Sequence, residues 1–364
     1  MPALDPNHLT SVNGPLRLVV SAVLVPVGSL DRFQPAGFPE VGHVIYRAPR
    51  DGGSYEPVCI VDSPASMANH LESVCVRGPH DPDLVQELEG MPYVRCVTDA
   101  GWPQVDTSKR KTCIVTSLTE GHRIASTYFL GGKRLHNGNP VDAEFEEELR
   151  LACGILPLGK KKAHPQPDGW WTVFSTLFRY DPNALVHGVL FPQWQVRIPR
   201  ALSGHLEAFG AARVDRAGVK FDRLGKTTSG QPIFAVDEEV AREIKATFVL
   251  DLALIRSFGR DGSGLTPAQK AFLGGLAIWK VGRLLGGPFR YRSGCDLECI
   301  AIEIDGRRTN VSDLQVDITS LVKAAEFPEP SVSDIYWPAS ELYRPGESQA
   351  QGESEEDSEE DGEV

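Results

Sequence analysis

The chain has 364 residues, of which 41% are hydrophobic, so it can form one large or two ordinary domains around a sizeable core. No apolar run reaches membrane-spanning length and no signal peptide opens the sequence, so we expect a cytoplasmic protein. The net charge of -12 comes mostly from residues 346–364, which hold nine acids and no base, and the remaining 40 acids against 37 Lys and Arg do not exclude a basic groove.

The first predicted element is a strand over residues 16–27, which is apolar on both faces and therefore central in a sheet. A loop follows over residues 32–42, RFQPAGFPEVG, with no helical or strand period. Its prolines and glycines indicate a shaped loop that carries Arg32.

A buried strand over residues 58–61 leads directly into a helix. Ser63 is a suitable N-cap and Pro64 suits the first helical turn. Asn69 and His70 fall on the polar flank of this helix. Two interpretations fit: the helix start binds an anion such as phosphate, or it is purely structural.

The same order of elements recurs further along the chain. A strand over residues 112–118 is followed by residues 117–120, whose Ser-Leu-Thr-Glu sequence predicts a capping box and a second helix. His122 and Arg123 lie away from the apolar face of that helix. A further helix is predicted over residues 140–153.

Residues 157–169 form a predicted mobile basic loop that either touches phosphate or is simply solvated. Two strands are then predicted over residues 172–180 and 185–198. A helix is predicted to start at Pro199.

Residues 210–232 break the pattern and predict an extended projection. The bases Lys220, Arg223 and Lys226 surround Phe221. Bases with an aromatic ring suit a single nucleic-acid strand, because the charges meet phosphates and the ring stacks on a base. A solvated loop is the alternative.

The last third of the body predicts a long buried helix over residues 237–258 and a capped helix over residues 266–285. Residues 289–304 predict a final core strand with Arg290 and Arg292 on one sheet face. That face suits RNA phosphates, whereas ion pairs with acids such as Glu298 are the alternative.

The search for catalytic motifs yields only fragments. No HExxH or GxSxG motif is present, and His122 beside Glu120 is the nearest approach to an acid/base pair. Seven cysteines without a regular spacing indicate reduced thiols. Because Cys295 and Cys299 have no second pair at zinc spacing, we expect no metal and no other cofactor.

Several blocks in a fixed order resemble one family. The chain resembles the CRISPR-associated RAMP-superfamily protein that forms the backbone of the type I-G (formerly I-U) Cascade effector complex, a member of the Cas seven family. The chain departs from the family's helix-start pattern at Asp62, Pro64, Ala65 and His70, where the family has Glu, Ala, Gln and Arg. The matching blocks are RFQPAGFPEVG (32–42), VDSPASMANHLE (61–72), SLTEGHRIAS (117–126), DPNALVHGVLF (181–191), RIPRALSGHLEA (197–208), FVLDLALIRSFG (248–259) and GCDLE (294–298).

The predicted elements by themselves support an α+β fold, and the resemblance implies an RRM-like, ferredoxin-like core with large insertions over residues 1–345. The projection over residues 210–232 would be a protruding thumb, and residues 346–364 a disordered acidic tail that either competes for the RNA groove or is inert.

By the same resemblance the protein is non-enzymatic, oligomerises along CRISPR RNA and holds it for pairing with target DNA in antiviral defence. Its other partners would be the guide-processing subunit and a large subunit, with no membrane. The predicted RNA-binding residues are Arg32, Asn69, His70, Arg123, Lys220, Arg223, Lys226, Arg290 and Arg292.

Two alternatives remain open. The first is a metal-independent endoribonuclease that processes precursor CRISPR RNA with His122 or His70 as acid/base. The second is a phosphate-binding metabolic enzyme that uses the two strand-to-helix connections.

Overall fold

The structure is a computed structural model that describes residues 4–38, 42–99, 111–156, 169–214 and 238–342. Most of the predicted basic loop, the greater part of the predicted projection and the acidic tail lie outside the described residues. Helices and mostly antiparallel sheets alternate along the chain, so the fold class is α+β, as predicted.

The strands of the described residues are β1 (Arg17–Pro26), β2 (Arg32–Phe33), β3 (Gly37–Phe38), β4 (Gly42–His43), β5 (Ile45–Pro49), β6 (Tyr55–Asp62), β7 (Val76–Gly78), β8 (Asp81–Leu84), β9 (Tyr93–Asp99), β10 (Lys111–Thr116), β11 (Lys133–His136), β12 (Asn139–Pro140), β13 (Val189–Phe191), β14 (Val196–Ile198), β15 (Leu202–Phe209), β16 (Ala212–Arg213), β17 (Glu239–Val240), β18 (Glu243–Asp251), β19 (Gly259–Arg260), β20 (Ser263–Gly264), β21 (Phe289–Arg292), β22 (Cys295–Ile304), β23 (Arg307–Thr309) and β24 (Val332–Tyr336).

The α-helices of the same residues are α1 (Pro6–Thr10), α2 (Pro64–Ser73), α3 (Thr127–Leu130), α4 (Phe145–Ala152), α5 (Trp170–Tyr180), α6 (Asn183–His187), α7 (Leu252–Ser257), α8 (Pro267–Leu285), α9 (Ile318–Ala324) and α10 (Ala339–Leu342). Short 3₁₀ turns lie between several of these elements.

One large sheet organises the molecule. Its strands lie in the order β21-β22-β1-β18-β15-β6-β5, with β23 paired to β22, and every neighbouring pair is antiparallel. Buried and partly exposed side chains alternate along β1, β15 and β18, so one face of the sheet forms the core.

Helix α2 packs on the core face of β15, and a glycine permits the close approach. A Cβ atom at Gly204 would lie 2.5 Å from Met67 Cγ, so a side chain there would push the helix away. Helix α8 covers the neighbouring part of the same core and is buried over most of its length.

A second sheet has the order β10-β9-β24-β11-β12. In it β24 runs parallel to β9, whereas the other neighbours are antiparallel. The late strand β24 thereby ties the end of the described chain to its first third.

Several predicted elements are confirmed. Strand β1 is central in the large sheet, and α2 starts after β6 with Ser63 as its N-cap and Pro64 in the first turn. The capping box of Thr266 and Gln269 opens α8, as predicted. Helix α4 occupies only the second half of the helix predicted over residues 140–153.

Two helices predicted in the middle of the chain are wholly or largely strands. The helix predicted from Pro199 is strand β15. The segment predicted as a helix over residues 237–258 contains strands β17 and β18, and only its last part, α7, is helical. Ile244 and Phe248 are four residues apart, a spacing that satisfies both a helix face and every second position of a strand. The alternating burial along β18 shows that the strand period is the correct one.

The converse error concerns the strand predicted over residues 172–180, which is part of helix α5. Its buried residues Val173, Thr176, Leu177 and Tyr180 recur at helical spacing, although aromatic and β-branched residues favour strands locally. The packing of these residues in the core, rather than their local strand preference, therefore determines that the segment is a helix. The strand predicted over residues 185–198 is likewise replaced by α6 and the β13–β14 hairpin.

The predicted final strand over residues 289–304 is a hairpin of β21 and β22. The register of that ladder shifts between Arg290 and Arg292. The helix predicted from the Ser117–Glu120 capping box is also wrong, since residues 117–122 form turns that lead to a 3₁₀ turn over Arg123–Ala125.

Candidate nucleic-acid interface

The predicted anion site at the start of α2 is filled by the chain's own carboxylate. Asp62, the last residue of β6, is 2% exposed, and its Oδ1 accepts a hydrogen bond of 3.0 Å from the Ser63 N–H. Ser63 in turn accepts from the Ser66 N–H at 3.2 Å. A helix start favours negative charge, and Asp62 supplies it.

Two basic side chains converge on Asp62. Arg292 Nη2 donates to Oδ1 at 2.8 Å and Nη1 donates to the Val61 carbonyl at 3.2 Å. His70 Nε2 lies 2.8 Å from Oδ2. Burial acts to raise the pKa of Asp62, but His70, Ser66 and Arg292 outweigh it and hold this pKa below its ordinary value.

Aromatic rings surround the His70 imidazole. The ring centres of Phe289 and Tyr291 lie 5.5 Å and 5.4 Å from that of His70, both in edge-to-face geometry. The imidazole is therefore held by Asp62 on one side and by β21 on the other. Asn69, its neighbour on α2, is exposed.

The loop that carries Arg32 packs against the same place. The Gln34 N–H donates to the Gly294 carbonyl at 2.8 Å, and the Ala36 N–H donates to the Val61 carbonyl at 2.9 Å. Arg32 itself is 53% exposed and pairs with Glu238 at 3.0 Å. The loop thus connects the start of α2 to the turn of the β21–β22 hairpin.

A three-stranded sheet of β16, β17 and β2 continues from this loop. Within it Glu239 is fully buried, with His43 Nδ1 at 3.0 Å and Arg213 Nε at 3.6 Å from its Oε1. Strands β16 and β17 pair side by side, and the Val214 N–H donates to the Glu238 carbonyl at 2.9 Å, so the two described ends of the chain at Val214 and Glu238 are adjacent. The predicted contacts Lys220, Arg223 and Lys226 lie outside the described residues.

Two predicted residues, His70 and Arg292, therefore meet at Asp62. Three more lie on the segments that these contacts join: Asn69 on α2, Arg290 on β21 and Arg32 on the loop that is hydrogen-bonded to Val61 and Gly294. We call these five residues the α2-start cluster. Arg290 is 71% exposed at its side chain and pairs with Asp296 at 2.7 Å. Ion pairs, the alternative for the sheet arginines, do form, but with Asp296 and Asp62 rather than with Glu298.

Arg123 is not part of this cluster. Its guanidinium is buried and donates to both carboxylate oxygens of Glu72 at 2.7 Å and 2.8 Å, with a further bond of 3.3 Å to the Gly188 carbonyl. A fully paired core arginine cannot reach a phosphate on the surface, which argues against its predicted role as an RNA contact. The cause is the missing second helix, because Arg123 points inward from a 3₁₀ turn with a φ of 54°.

Arg123 belongs to a buried polar network that joins α2 and α8. Asn183 Nδ2 donates to Glu72 Oε1 at 2.5 Å, and Lys280 donates to Asn183 Oδ1 and lies 3.0 Å from His187 Nε2. Burial, followed by the charge of Lys280, lowers the pKa of His187, so its imidazole is neutral and accepts from Lys280. The network consists of Glu72, Arg123, Asn183, His187 and Lys280. The buried carboxylate of Asp181 lies within reach of their charges but makes no hydrogen bond to any described residue.

The sequence analysis missed this network. One signal was present, because Lys280 is a lone charge within the otherwise apolar helix segment 271–281. A lysine at such a position needs a buried partner. The partners Asn183 and His187 lie on α6, a helix that the sequence did not predict.

His122 lies at the surface beside Glu120. Its side chain is 83% exposed, and Nδ1 lies 3.2 Å from Glu120 Oε1. Among the described residues, no group of three or more His, Cys, Asp or Glu is placed to hold a metal ion. All seven cysteines are free thiols. In the part of the chain that the structure describes, no helix combines the length and apolarity needed to cross a membrane.

Comparison with known proteins addresses the family directly. The family model described as CRISPR-associated protein GSU0053 matches residues 18–213, more than half of the chain. The chain belongs to this CRISPR-associated family. The resemblance drawn from the sequence blocks is thus confirmed at the level of a CRISPR-associated protein.

A structure search links this GSU0053-family protein to the crystal structure of Thermofilum pendens Csc2. The two chains are 10% identical, and the match covers 90% of this chain and 76% of the other with a TM-score of 0.29. Similarity at that TM-score carries no argument about fold or function. No curated protein matches the chain.

The buried network predicts a specific loss of stability. Replacing Lys280 by Met removes the donor to Asn183 and His187 and leaves both acceptors buried without a partner, so we expect a loss of about 3–5 kcal/mol in the free energy of unfolding. Urea denaturation followed by circular dichroism measures it. Lys323→Met, at an exposed helix position, is the control and should change stability little. Equal stability of both variants would contradict a structural role for Lys280.

The buried Asp181 should make the free energy of unfolding fall as pH rises, whereas an ordinary paired carboxylate makes it rise. Burial, together with the nearby charge of Glu72, raises its pKa to about 7. Between pH 4 and pH 7 the unfolded chain has lost this proton while the folded chain keeps it, so stability falls as pH rises, by up to about 1.4 kcal/mol per pH unit.

Asp181→Asn should remove this contribution. From pH 5 to pH 7 the free energy of unfolding of the variant should therefore increase relative to that of the wild type. A difference that stays constant across this range would show that Asp181 does not titrate there.

Proposed function

We propose that the protein is a guide-RNA-binding backbone subunit of a type I-G CRISPR effector complex. The observation that carries this proposal is the α2-start cluster in a chain of a CRISPR-associated family. In it His70 of α2 and Arg292 of β21 contact the Asp62 carboxylate at the helix start, and the backbone of the loop that carries Arg32 is hydrogen-bonded beside them. Copies of the subunit would line up along one CRISPR RNA and present its bases to target DNA. Protein contacts would then read the backbone, and base pairing would read the sequence.

The strand order supports an RRM-like core for this function. When β1, β15, β18 and β22 are numbered one to four in chain order, their order in the sheet is four-one-three-two. Helix α2 lies between the first and second strands and α8 between the third and fourth, an order that is consistent with the ferredoxin-like core we propose. The hairpin β5–β6 extends this core at one edge.

The exposed arginines of the cluster suit phosphate binding because their present ion pairs are weak. Arg32 and Arg290 are more than half exposed, and surface ion pairs contribute only about 0–1 kcal/mol. A phosphodiester can therefore replace Glu238 or Asp296 at little cost. His70 and Arg292 are held by Asp62 and would fix the position of the backbone rather than move to it.

The projection would act as the thumb of this subunit. The paired strands β16 and β17 form its stem directly beside the Arg32 loop. In this proposal Lys220, Arg223 and Lys226 add contacts to the same RNA strand. The partners would be further copies of the chain, a guide-processing subunit and a large subunit.

A salt titration with single-stranded repeat-spacer RNA tests the cluster. Each phosphate contact with a single strand accounts for about 0.7 in the slope of log K against log salt. The double variant Arg32→Gln/Arg290→Gln should therefore lower the slope by about 1.4, measured by fluorescence anisotropy of labelled RNA.

Arg77→Gln is a matched control for this titration, because Arg77 is 51% exposed and paired with Asp81 and Asp83. Its slope should equal that of the wild type. A slope unchanged in the double variant, or lowered equally in the control, would count against the cluster as the RNA interface.

The alternative function is cleavage of precursor CRISPR RNA, which the contact between His122 and Glu120 favours. In our proposal the subunit holds RNA without cutting it. A denaturing gel of precursor RNA incubated with wild type and His122→Ala separates the two. Cleavage by the wild type that is lost in His122→Ala would favour the nuclease, and intact RNA with both would favour the binder.

A further inference from the structure

A polar groove that shares no lining residue with the α2-start cluster lies between α5 and the β19–β20 hairpin. Its volume is about 450 Å³, which is within the range of small-molecule sites. Among the described residues that line it there is one indole, one guanidinium and several hydroxyl groups, and none is acidic.

Helix α5 presents these groups on one face. Val173, Leu177 and Tyr180 lie on its buried side. Trp171, Ser175 and Arg179 follow one another at intervals of four residues and line the groove instead. Trp171 and Arg179 are eight residues apart, or about 12 Å along the helix axis.

The hairpin closes the other side of the groove. Gly264 has a φ of 74°, and a Cβ atom there would lie 2.9 Å from Trp171 Cδ1. The hairpin backbone therefore approaches the edge of the indole as closely as a glycine allows. Ser263 in the same hairpin adds a hydroxyl to the lining.

The polar groups of the groove are free to bind. Arg179 is exposed and lies over the Tyr180 ring at 5.7 Å, and within the described residues it has no carboxylate partner, unlike Arg32, Arg290 or Arg292. Thr176 donates to the Ala152 carbonyl, but the hydroxyls of Thr172, Ser175 and Ser263 make no hydrogen bond to any described residue.

We propose that this groove binds a nucleoside phosphate, with the base on the Trp171 indole and the phosphate at Arg179. Indole stacking accepts any base, and a planar guanidinium binds phosphate through two parallel hydrogen bonds. The hydroxyls between them suit the sugar and the remaining phosphate oxygens. A simple anion would leave the ring unused, and an apolar peptide would leave the guanidinium unused.

The same chemistry has two sources, a nucleotide within single-stranded RNA or a free mononucleotide, and the RNA source rests on the proposed function. We would measure both with the full-length chain. One arm follows a fluorescein-labelled single-stranded RNA by anisotropy, and the other follows adenosine monophosphate by saturation-transfer NMR.

The variants Trp171→Ala and Arg179→Gln should each weaken binding by about tenfold in at least one arm. Trp171→Phe keeps a ring and should retain most of the affinity. Tyr55→Ala and Arg197→Gln remove an exposed ring and an exposed guanidinium elsewhere and should leave binding unchanged. Because Arg179 is exposed, Arg179→Gln tests the site even where Trp171→Ala disturbs folding.

Loss confined to the RNA arm would assign the groove to RNA, and loss in the mononucleotide arm would assign it to a free nucleotide. Normal binding by Arg179→Gln and a folded Trp171→Ala in both arms would overturn the inference. If Arg32→Gln/Arg290→Gln weakens RNA binding and the groove variants weaken binding in neither arm, the proposed function is supported and the groove site is refuted. If RNA is not bound but adenosine monophosphate is, the site stands without the proposed function.

Discussion

The carboxylate of Asp62 is the constraint on which the arrangement around α2 depends. It takes the position at the helix start that a phosphate would otherwise occupy, and it holds Arg292 and His70 at 2.8 Å each. Three elements that are distant in sequence, β6, α2 and β21, therefore meet at one buried charge. Because burial makes an unpaired carboxylate costly, this meeting point is strongly specified. Arg32 and Arg290 are more exposed, and each can exchange its present carboxylate partner, Glu238 or Asp296, for another anion.

The other end of α2 is fixed by a second carboxylate. Glu72 receives Arg123 and Asn183 inside the fold, and Lys280 extends the network into α8. Helix α2 is thus held at both ends by charge and along its length by Met67 and Leu71, while Asn69 stays on the surface. A helix fixed in this way can present polar groups in a constant position, which a subunit that repeats along a polymer requires.

Local signals predicted part of this fold. Caps, apolar runs and the family blocks located β1, β6, α2 and α8, because each rests on a few neighbouring residues. The strands β15 and β18 and the helix α5 were misassigned, since spacings such as Ile244 to Phe248 fit two periods and tertiary packing decides between them. The buried network could not be predicted, because the partners Glu72, Asn183 and Lys280 are far apart in sequence. The sequence did place Arg32, His70 and Arg292 among the candidates, but not the Asp62 carboxylate that joins two of them.

The most direct test of the account is to purify the tagged protein after co-expression with its operon neighbours and to sequence any RNA that accompanies it. The account predicts a large assembly with uniform repeat-spacer RNA and a high ratio of absorbance at nucleic-acid to protein wavelengths. Charge reversal of Lys220, Arg223 and Lys226 should reduce the RNA content. A nucleic-acid-free monomer under the same conditions would contradict the account and favour a small-molecule function.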